Sequence, residues 1–377
     1  MALLYTEEQL ELIEMVRDMV EREVKPHVAE CDRKGECPVE LFKPAIDMGL
    51  HMLEIPEEYG GEGMDYETTA MIFEEIAKVD AGYADTLVTT FVALRNVILK
   101  GTPEQAQYFA DVIGQGKFAC FAITEAGAGS DAGALRATAV PDGKGNYVLN
   151  GTKTFATNGE CASLYIAFFK IPDVGITAFM IDRDTPGFSV GAHEDKMGFR
   201  LSNTTDLIFE DVVVPEDRIV GTPGKGLSLA LNSLNLSRAF ISTLGVGIMQ
   251  RALDEAVAYA KIREQFGKPI IKQQMVQQLL ADMAIKVEAS RCLVNNTMKL
   301  MDQGSLVRKE GSITKTFVTD CMQEVTSNAV QVFGGYGYSR EYPVEKLMRD
   351  AKIFQIFEGT NQIQRVTIAK CLEKEYE

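Results

Sequence analysis

The sequence predicts an α+β chain in three parts: an N-terminal helical domain, a central antiparallel β domain and a C-terminal four-helix bundle. Three observations predict it. Apolar residues recur at helical spacing up to position 117. Short runs rich in aromatic and β-branched residues, separated by turn signals, fill 118–221. Long helical stripes then occupy 222–377. A chain of 377 residues has room for two or three such domains.

The first helix follows Thr6, which can cap it with Glu8 and Gln9 in the first turn; Leu10, Ile13, Val16, Val20 and Val24 form its stripe. Pro26 kinks or ends it. A second helix covers roughly 39–49 and stops at Gly49. Met71, Ile72, Ile76 and Val79 mark a third, and Val88, Val92, Leu94, Val97 and Ile98 a fourth that closes at Lys100-Gly101. Pro103 starts a short fifth.

Strand-like runs follow at Phe118–Ile123, Ala134–Val140, Tyr147–Leu149, Leu164–Phe169, Gly175–Ile181, Phe188–Val190 and Leu207–Val214. Short strands at this spacing indicate an antiparallel sandwich or barrel. Two Asn-Gly pairs, Asn150-Gly151 and Asn158-Gly159, read as hairpin turns. After Pro223-Gly224, stripes from Leu227 to Val257, Met275 to Met301 and Ile313 to Val332 give three long helices, and 343–375 supplies the last.

Within that last stretch, Val344, Leu347, Met348 and Ala351 fit one helix, and Ile363, Val366, Ile368 and Ala369 fit another. Between them Ile353, Phe354, Ile356 and Phe357 deliver one acid, Glu358, into Gly359-Thr360. A carboxylate set among bulky apolar side chains is a candidate base, because burial raises its pKa toward neutrality. A solvated helix-breaking turn is the plainer alternative.

Composition narrows the function classes. The net charge of −16 disfavours nucleic acid and anionic lipid as partners. No apolar run reaches the roughly 18 residues of a membrane span. The first residues carry neither a basic nor an apolar leader, so a cytoplasmic protein is expected. Seven scattered cysteines without Cys-x-x-Cys suggest reduced thiols. His27, His51 and His193 lie far apart, which argues against a metal site or a Ser-His-Asp triad.

Four further segments stand out. The loop Phe121–Asp131 reads as a turn or as a strand edge whose amides and hydroxyls face a ligand. It is a poor dinucleotide fingerprint, since a strand follows where a helix is needed. Arg238 reads as a solvated helix residue. Arg263-Glu264-Gln265-Phe266-Gly267 is a helix exit with a cation suited to pyrophosphate. Gln331-Val332-Phe333-Gly334-Gly335 is a glycine-rich helix end.

Together with the Glu358 stretch and Asn150–Gly159, these segments stand in the order found in the acyl-CoA dehydrogenase family, which residues 6–370 resemble. The resemblance implies that Glu358 is the catalytic base and FAD the cofactor. It implies that Phe121, Ile123 and Thr124 line the flavin, that Gly129 permits close approach, and that Ser130 touches both flavin and acyl-CoA. Thr157 would hydrogen-bond near flavin N5, and Phe155 would pack on the ring where the family usually has Trp. Asn235, Arg238 and Gly359 would follow the acyl-CoA track. Arg263, Phe266 and Gln274 would reach a neighbouring subunit's flavin, Gln331, Val332, Gly334 and Gly335 its adenosine end, and Thr360 and Gln362 would also contact the cofactor.

The same resemblance implies oxidation of an acyl-CoA to a 2,3-enoyl-CoA in acyl-CoA metabolism such as β-oxidation. The thioester carbonyl would be polarised by the Glu358 N–H and the flavin ribityl 2′-hydroxyl. Electrons would pass to an electron-transferring flavoprotein. The assembly would be a homotetramer, a dimer of dimers, with no metal. An enoyl-CoA reductase running in reverse and an inactive acyl-CoA-binding protein are the alternatives. Leu87, Val88 and Phe91 are expected to wall a pocket for a short, branched or cyclic acyl group. Asp85 reads as a solvated position, with a second acid–base group as the alternative.

Overall fold

A computed structural model describes residues 5–376. Met1–Leu4, on which the expectation of no leader partly rests, lie outside the described residues. Helices α1 (Glu7–Met19), α2 (Lys25–Lys34), α3 (Lys43–Asp47), α4 (Tyr66–Val79), α5 (Ala81–Lys100) and α6 (Pro103–Ile113) form the first part. Thr6 and Gln9 close a reciprocal capping box at the start of α1. Pro26 does not end the helical path. A π-helical turn, Val20–Val24, carries the chain from α1 into α2. The wider turn accommodates a proline that lacks an N–H and crowds the preceding turn.

The centre is one eight-stranded sheet in the order β6-β7-β3-β2-β4-β5-β8, with β1 paired to β4 off that path. The strands are β1 (Phe118–Ala122), β2 (Thr138–Pro141), β3 (Asn146–Thr157), β4 (Ala162–Ile171), β5 (Gly175–Asp182), β6 (Phe188–His193), β7 (Thr204–Pro215) and β8 (Ile219–Val220). Most pairings are antiparallel, as the sequence predicts, but β1 and β2 each run parallel to β4. The sheet curls until Phe188 of β6 meets Tyr165 of β4 at 4.7 Å between ring centres.

Side-chain alternation makes two cores from this sheet. Leu164, Ile166 and Phe168 of β4 join the helical core, and Tyr165, Ala167 and Phe169 fill the curl. Asn150-Gly151 is not a turn. It lies inside β3 at a register shift against β7, with Gly151 at φ +138, where an added Cβ would stand 2.6 Å from Ala137 Cβ. A bulge consumes the glycine there, so the local Asn-Gly preference is overruled by strand pairing. Asn158-Gly159 does turn the chain from β3 to β4, with Asn158 at φ +65.

The last part holds α7 (Gly226–Ile262), α8 (Gln274–Asp302), α9 (Arg308–Phe333), α10 (Val344–Ala351) and α11 (Asn361–Glu375). A two-residue-per-strand ribbon, β9 (Glu264–Gln265) and β10 (Lys268–Pro269), links α7 to α8. The region 343–375 holds two helices broken around Glu358, as the two apolar stripes on either side of it predict. Among the described residues no helix is long and apolar enough to cross a membrane.

Candidate active site

The break between α10 and α11 is shaped by packing. Phe354 and Phe357 stack edge-on at 5.1 Å, and both meet Phe199, at 5.4 and 5.9 Å. This aromatic cluster stops the helix and turns the next residue back. Glu358 takes φ +58 and Gly359 φ +88. A left-handed glutamate costs about 1–2 kcal/mol, so neighbouring contacts must hold it.

They do so through the backbone carbonyls. Arg238 Nε of α7 donates to Glu358 O at 3.2 Å. Lys315 Nζ of α9 donates to Gly359 O at 2.9 Å. Gln364 Nε2 reaches both oxygens, at 3.1 and 2.8 Å. Thr360 caps α11 by accepting from Ile363 N. Asn361 is anchored on Lys315, Thr319 and Asp320 of α9. Asn235 accepts from Arg238 at 2.7 Å, fixing the guanidinium.

The Glu358 side chain is left free by this scaffold. Its Oε2 is buried without a hydrogen-bond partner, as is the nearby Ser237 Oγ. Its backbone N–H donates to no protein acceptor among the described residues. Burial raises the carboxyl pKa above its ordinary value, against the pull of the Arg238, Lys315 and Arg95 charges. Burial also lowers the Arg238 pKa, against Glu358. It brings the Lys315 ammonium down to about 7. An acid with raised proton affinity, an unmet oxygen and an unpaired N–H can abstract a proton beside a carbonyl held on that N–H.

Asp85 corrects an expectation. It is 3% exposed, not solvated. Ser202 Oγ donates to its Oδ2 at 3.2 Å. Its pKa is pushed up to about 7 by burial and by the Glu358 charge. An aspartate inside the α5 pattern of Leu87, Val88 and Phe91 is the signal that points to this. Arg238 is likewise buried, 4% exposed, rather than solvated. Lys315 and Gln364 are missed by sequence reading; only a lysine inside the buried stripe of α9 hints at the first.

The loop after β1 is built on a charge. Glu125 accepts from Arg136 N, Ala137 N and Lys153 Nζ at 2.7, 3.0 and 2.7 Å. Lys153 is fully buried. The Thr154 N–H donates to Thr124 O at 2.8 Å, so the Thr124 loop lies along β3. On that strand Phe155, at φ +54, is 65% exposed, and Thr157 is half-buried. Ile123 is buried, Phe121 half-buried, and Gly129 and Ser130 are exposed. An added Cβ at Gly129 would meet nothing within 4 Å.

A second cavity of about 470 Å³ gathers Arg263, Gln265, Val332, Gly334, Gly335 and Tyr336. The Arg263 guanidinium lies over the Tyr336 ring at 5.6 Å. Gly334 and Gly335 leave open space where a side chain would stand. Phe266, at the ribbon tip, is 94% exposed, and Gln274, Gln331 and Gln362 are exposed as well. So the structure joins Glu358, Gly359, Asn235 and Arg238 at one place and Arg263, Val332, Gly334 and Gly335 at another. Phe155 and Thr157 belong to a third surface on β3.

A helical domain, a curled sheet and a helical bundle, with the Glu358 carboxyl desolvated at a turn of the bundle, make a three-part α+β protein with a candidate acid–base site. The chain belongs to the acyl-CoA dehydrogenase family. The family's N-terminal domain matches residues 6–117, its middle domain 120–212 and its C-terminal domain 224–373. It is similar to an acyl-CoA dehydrogenase of Bacillus subtilis, 42% identical, over 97% of this chain and 98% of that one. It is similar in structure to butyryl-CoA dehydrogenase of Megasphaera elsdenii, with TM-score 0.95, 38% identity and 99% and 100% of the two chains covered. A chain in a structure concerning the electron transferring flavoprotein of Acidaminococcus fermentans also has TM-score 0.95, with 39% identity and 99% of each chain covered.

Proposed function

We propose that the chain is an FAD-dependent dehydrogenase of short acyl-CoA thioesters in which Glu358 removes the α proton. The single observation that carries this reading is the Glu358 carboxyl: buried oxygen, raised pKa, and a backbone N–H left free beside it. The thioester carbonyl accepts from that N–H, which makes the α carbon acidic. The α C–H bond breaks, and the proton is held on the Glu358 carboxylate. Bound FAD supplies the acceptor for the β hydride, so the product is a 2,3-enoyl-CoA. Arg238 holds the turn by its carbonyl and limits how far the carboxyl pKa climbs.

The residues present fit a flavin dinucleotide. Phe155 offers an exposed aromatic face, Thr157 and Ser130 offer hydroxyls, and the open glycines of the second cavity stand beside Arg263, a cation for phosphate. The second cavity and the β3 surface are separate on one chain, and Phe266 is bare. These features support an assembly in which Arg263, Phe266, Gln274 and the 331–335 segment serve a neighbouring subunit's FAD, in a dimer of dimers. Leu87, Val88 and Phe91 are fully buried, leaving a closed apolar wall that supports a short acyl group. Likeness to the butyryl-CoA dehydrogenase supports the same choice. Likeness to the Acidaminococcus chain supports an electron-transferring flavoprotein as the electron acceptor.

Glu358→Gln tests the reading. The variant should retain FAD and bind acyl-CoA yet lose anaerobic bleaching of the flavin by butyryl-CoA. Near-normal bleaching in that variant removes Glu358 from the mechanism.

A further inference from the structure

The turn that carries Glu358 is braced from outside its own domain. Phe199, on the loop between β6 and β7, sets its ring against Phe354 and Phe357, whose packing breaks the helix before Glu358. Phe199 is 4% exposed and stands at φ +57. A bulky residue is strained in that left-handed region, so its backbone there must be held. The preceding Gly198 lays the loop on α10: an added Cβ would stand 2.4 Å from Arg349 C. One hydrogen bond then fixes the strained residue. The Phe199 N–H donates to Asp350 Oδ1 at 2.5 Å.

Asp350 is itself buried, 1% exposed, on the helix that leads into the Glu358 turn. Its other oxygen pairs with the Lys346 ammonium, which also pairs with Asp80. Asp80 caps α5 by accepting from Tyr83 N at 2.8 Å. One carboxylate–ammonium–carboxylate cluster therefore ties together all three parts of the molecule: α5, the β6–β7 loop and α10. A buried ion pair is a poor source of net stability, since desolvation offsets the attraction. Fixed geometry is the better account here, because the remaining Asp350 oxygen is spent on the strained Phe199.

We propose that Phe199 and Asp350 are positioning residues for the catalytic base: Asp350 locks Phe199 in its left-handed conformation, and the Phe199 ring, wedged against Phe354 and Phe357, sets where the Glu358 carboxyl points. The inference rests on the reading of Glu358 as the base. Two left-handed residues meet at one aromatic cluster, Phe199 within it and Glu358 directly after it. Without the Asp350 acceptor, Phe199 relaxes to negative φ and withdraws its ring. Phe354 and Phe357 then repack, and the turn loses its wall on that side. The carbonyl contacts from Arg238, Lys315 and Gln364 remain, so the acid stays in the site but is aimed less well. Misplacing a reacting group by about 1 Å costs on the order of a hundredfold in rate.

Single-turnover bleaching of the FAD-loaded enzyme by butyryl-CoA tests this in Phe199→Leu and Asp350→Ala. In each, the rate constant at saturating butyryl-CoA should fall by roughly tenfold or more. The bleaching amplitude should stay full, and the butyryl-CoA concentration giving half the maximal rate constant should change little. A merely structural lesion does the opposite: it lowers the amplitude with the active fraction and leaves the rate constant alone. The double variant should be no slower than the slower single variant, because both changes act through the same ring. A wild-type rate constant in Phe199→Leu, or two losses that multiply in the double variant, overturns the inference. If Asp350→Ala fails to hold FAD, Phe199→Leu decides alone, since it leaves the ion cluster whole. Glu358→Gln judges the base separately. If it still bleaches, both readings fall; if it does not, and Phe199→Leu reacts at the wild-type rate constant, only this inference falls.

Discussion

Glu358 is legible through the family resemblance of its stretch, since its local setting, apolar pairs before it and a glycine after it, leaves a solvated turn open as well. Its partners are not. Lys315 and Gln364 hold the turn by its carbonyls, and Arg238 and Asp85 are buried by other elements. A polar side chain on a helix reads as solvated until the packing of that helix is known, which is why two of these four are misread. The consequences of burying Asp85 extend to stability. Its carboxyl pKa moves from the ordinary 3.8 to about 7 on folding. The folded state therefore binds that proton more tightly, a stabilisation complete below pH 3.8 and lost as the pH rises through about 7. Asp85→Asn should gain on wild type progressively across that window, by roughly 4 kcal/mol at most, in denaturant unfolding at matched pH values. Equal stability at all pH values would mean that Asp85 is hydrated.

At the scale of elements, the long helices are read from their periodic stripes, while α2 (Lys25–Lys34) is missed because it lies past Pro26, where the first helix is expected to kink or end. The sheet is read less well. Its runs are found, but β3 is seen only as Tyr147–Leu149 because the Asn-Gly rule cuts it, and pairing overrides that rule. Ion pairs between elements are also hidden. Arg95 of α5 pairs with Glu54 through both carboxylate oxygens and lies over the Phe240 ring of α7 at 4.3 Å. Both side chains are 3% exposed. Burial raises the Glu54 pKa while Arg95 opposes it. Replacing one partner strands the other charge, so Arg95→Met should destabilise by about 3–5 kcal/mol, read as an earlier unfolding midpoint. Joint replacement of Arg95 and Glu54 by apolar residues should recover most of that loss.

For the molecule as a whole, three domains are legible from the change of texture along the chain, and their packing is not. A single chain leaves Phe266, Tyr338, Ile262 and Met275 largely exposed, at 94%, 89%, 78% and 72%. So much apolar surface on and around one ribbon is what the proposed contact with another copy would cover. Phe266→Asp should reduce the assembly seen by analytical ultracentrifugation and weaken FAD retention by about tenfold or more. An unchanged sedimentation pattern with full FAD would place the ribbon outside the interface.

The left-handed turn at Glu358 bears on how the familiar shortening experiment is interpreted. Aspartate tolerates that conformation better than glutamate does, so Glu358→Asp relaxes the chain while it retracts the acid. Reach and flexibility then change together, and a slower variant does not by itself measure distance. Glycine relaxes the same hinge and removes the acid altogether, so comparing activity restored by added propionate or acetate separates what the tether contributes from what the carboxyl contributes.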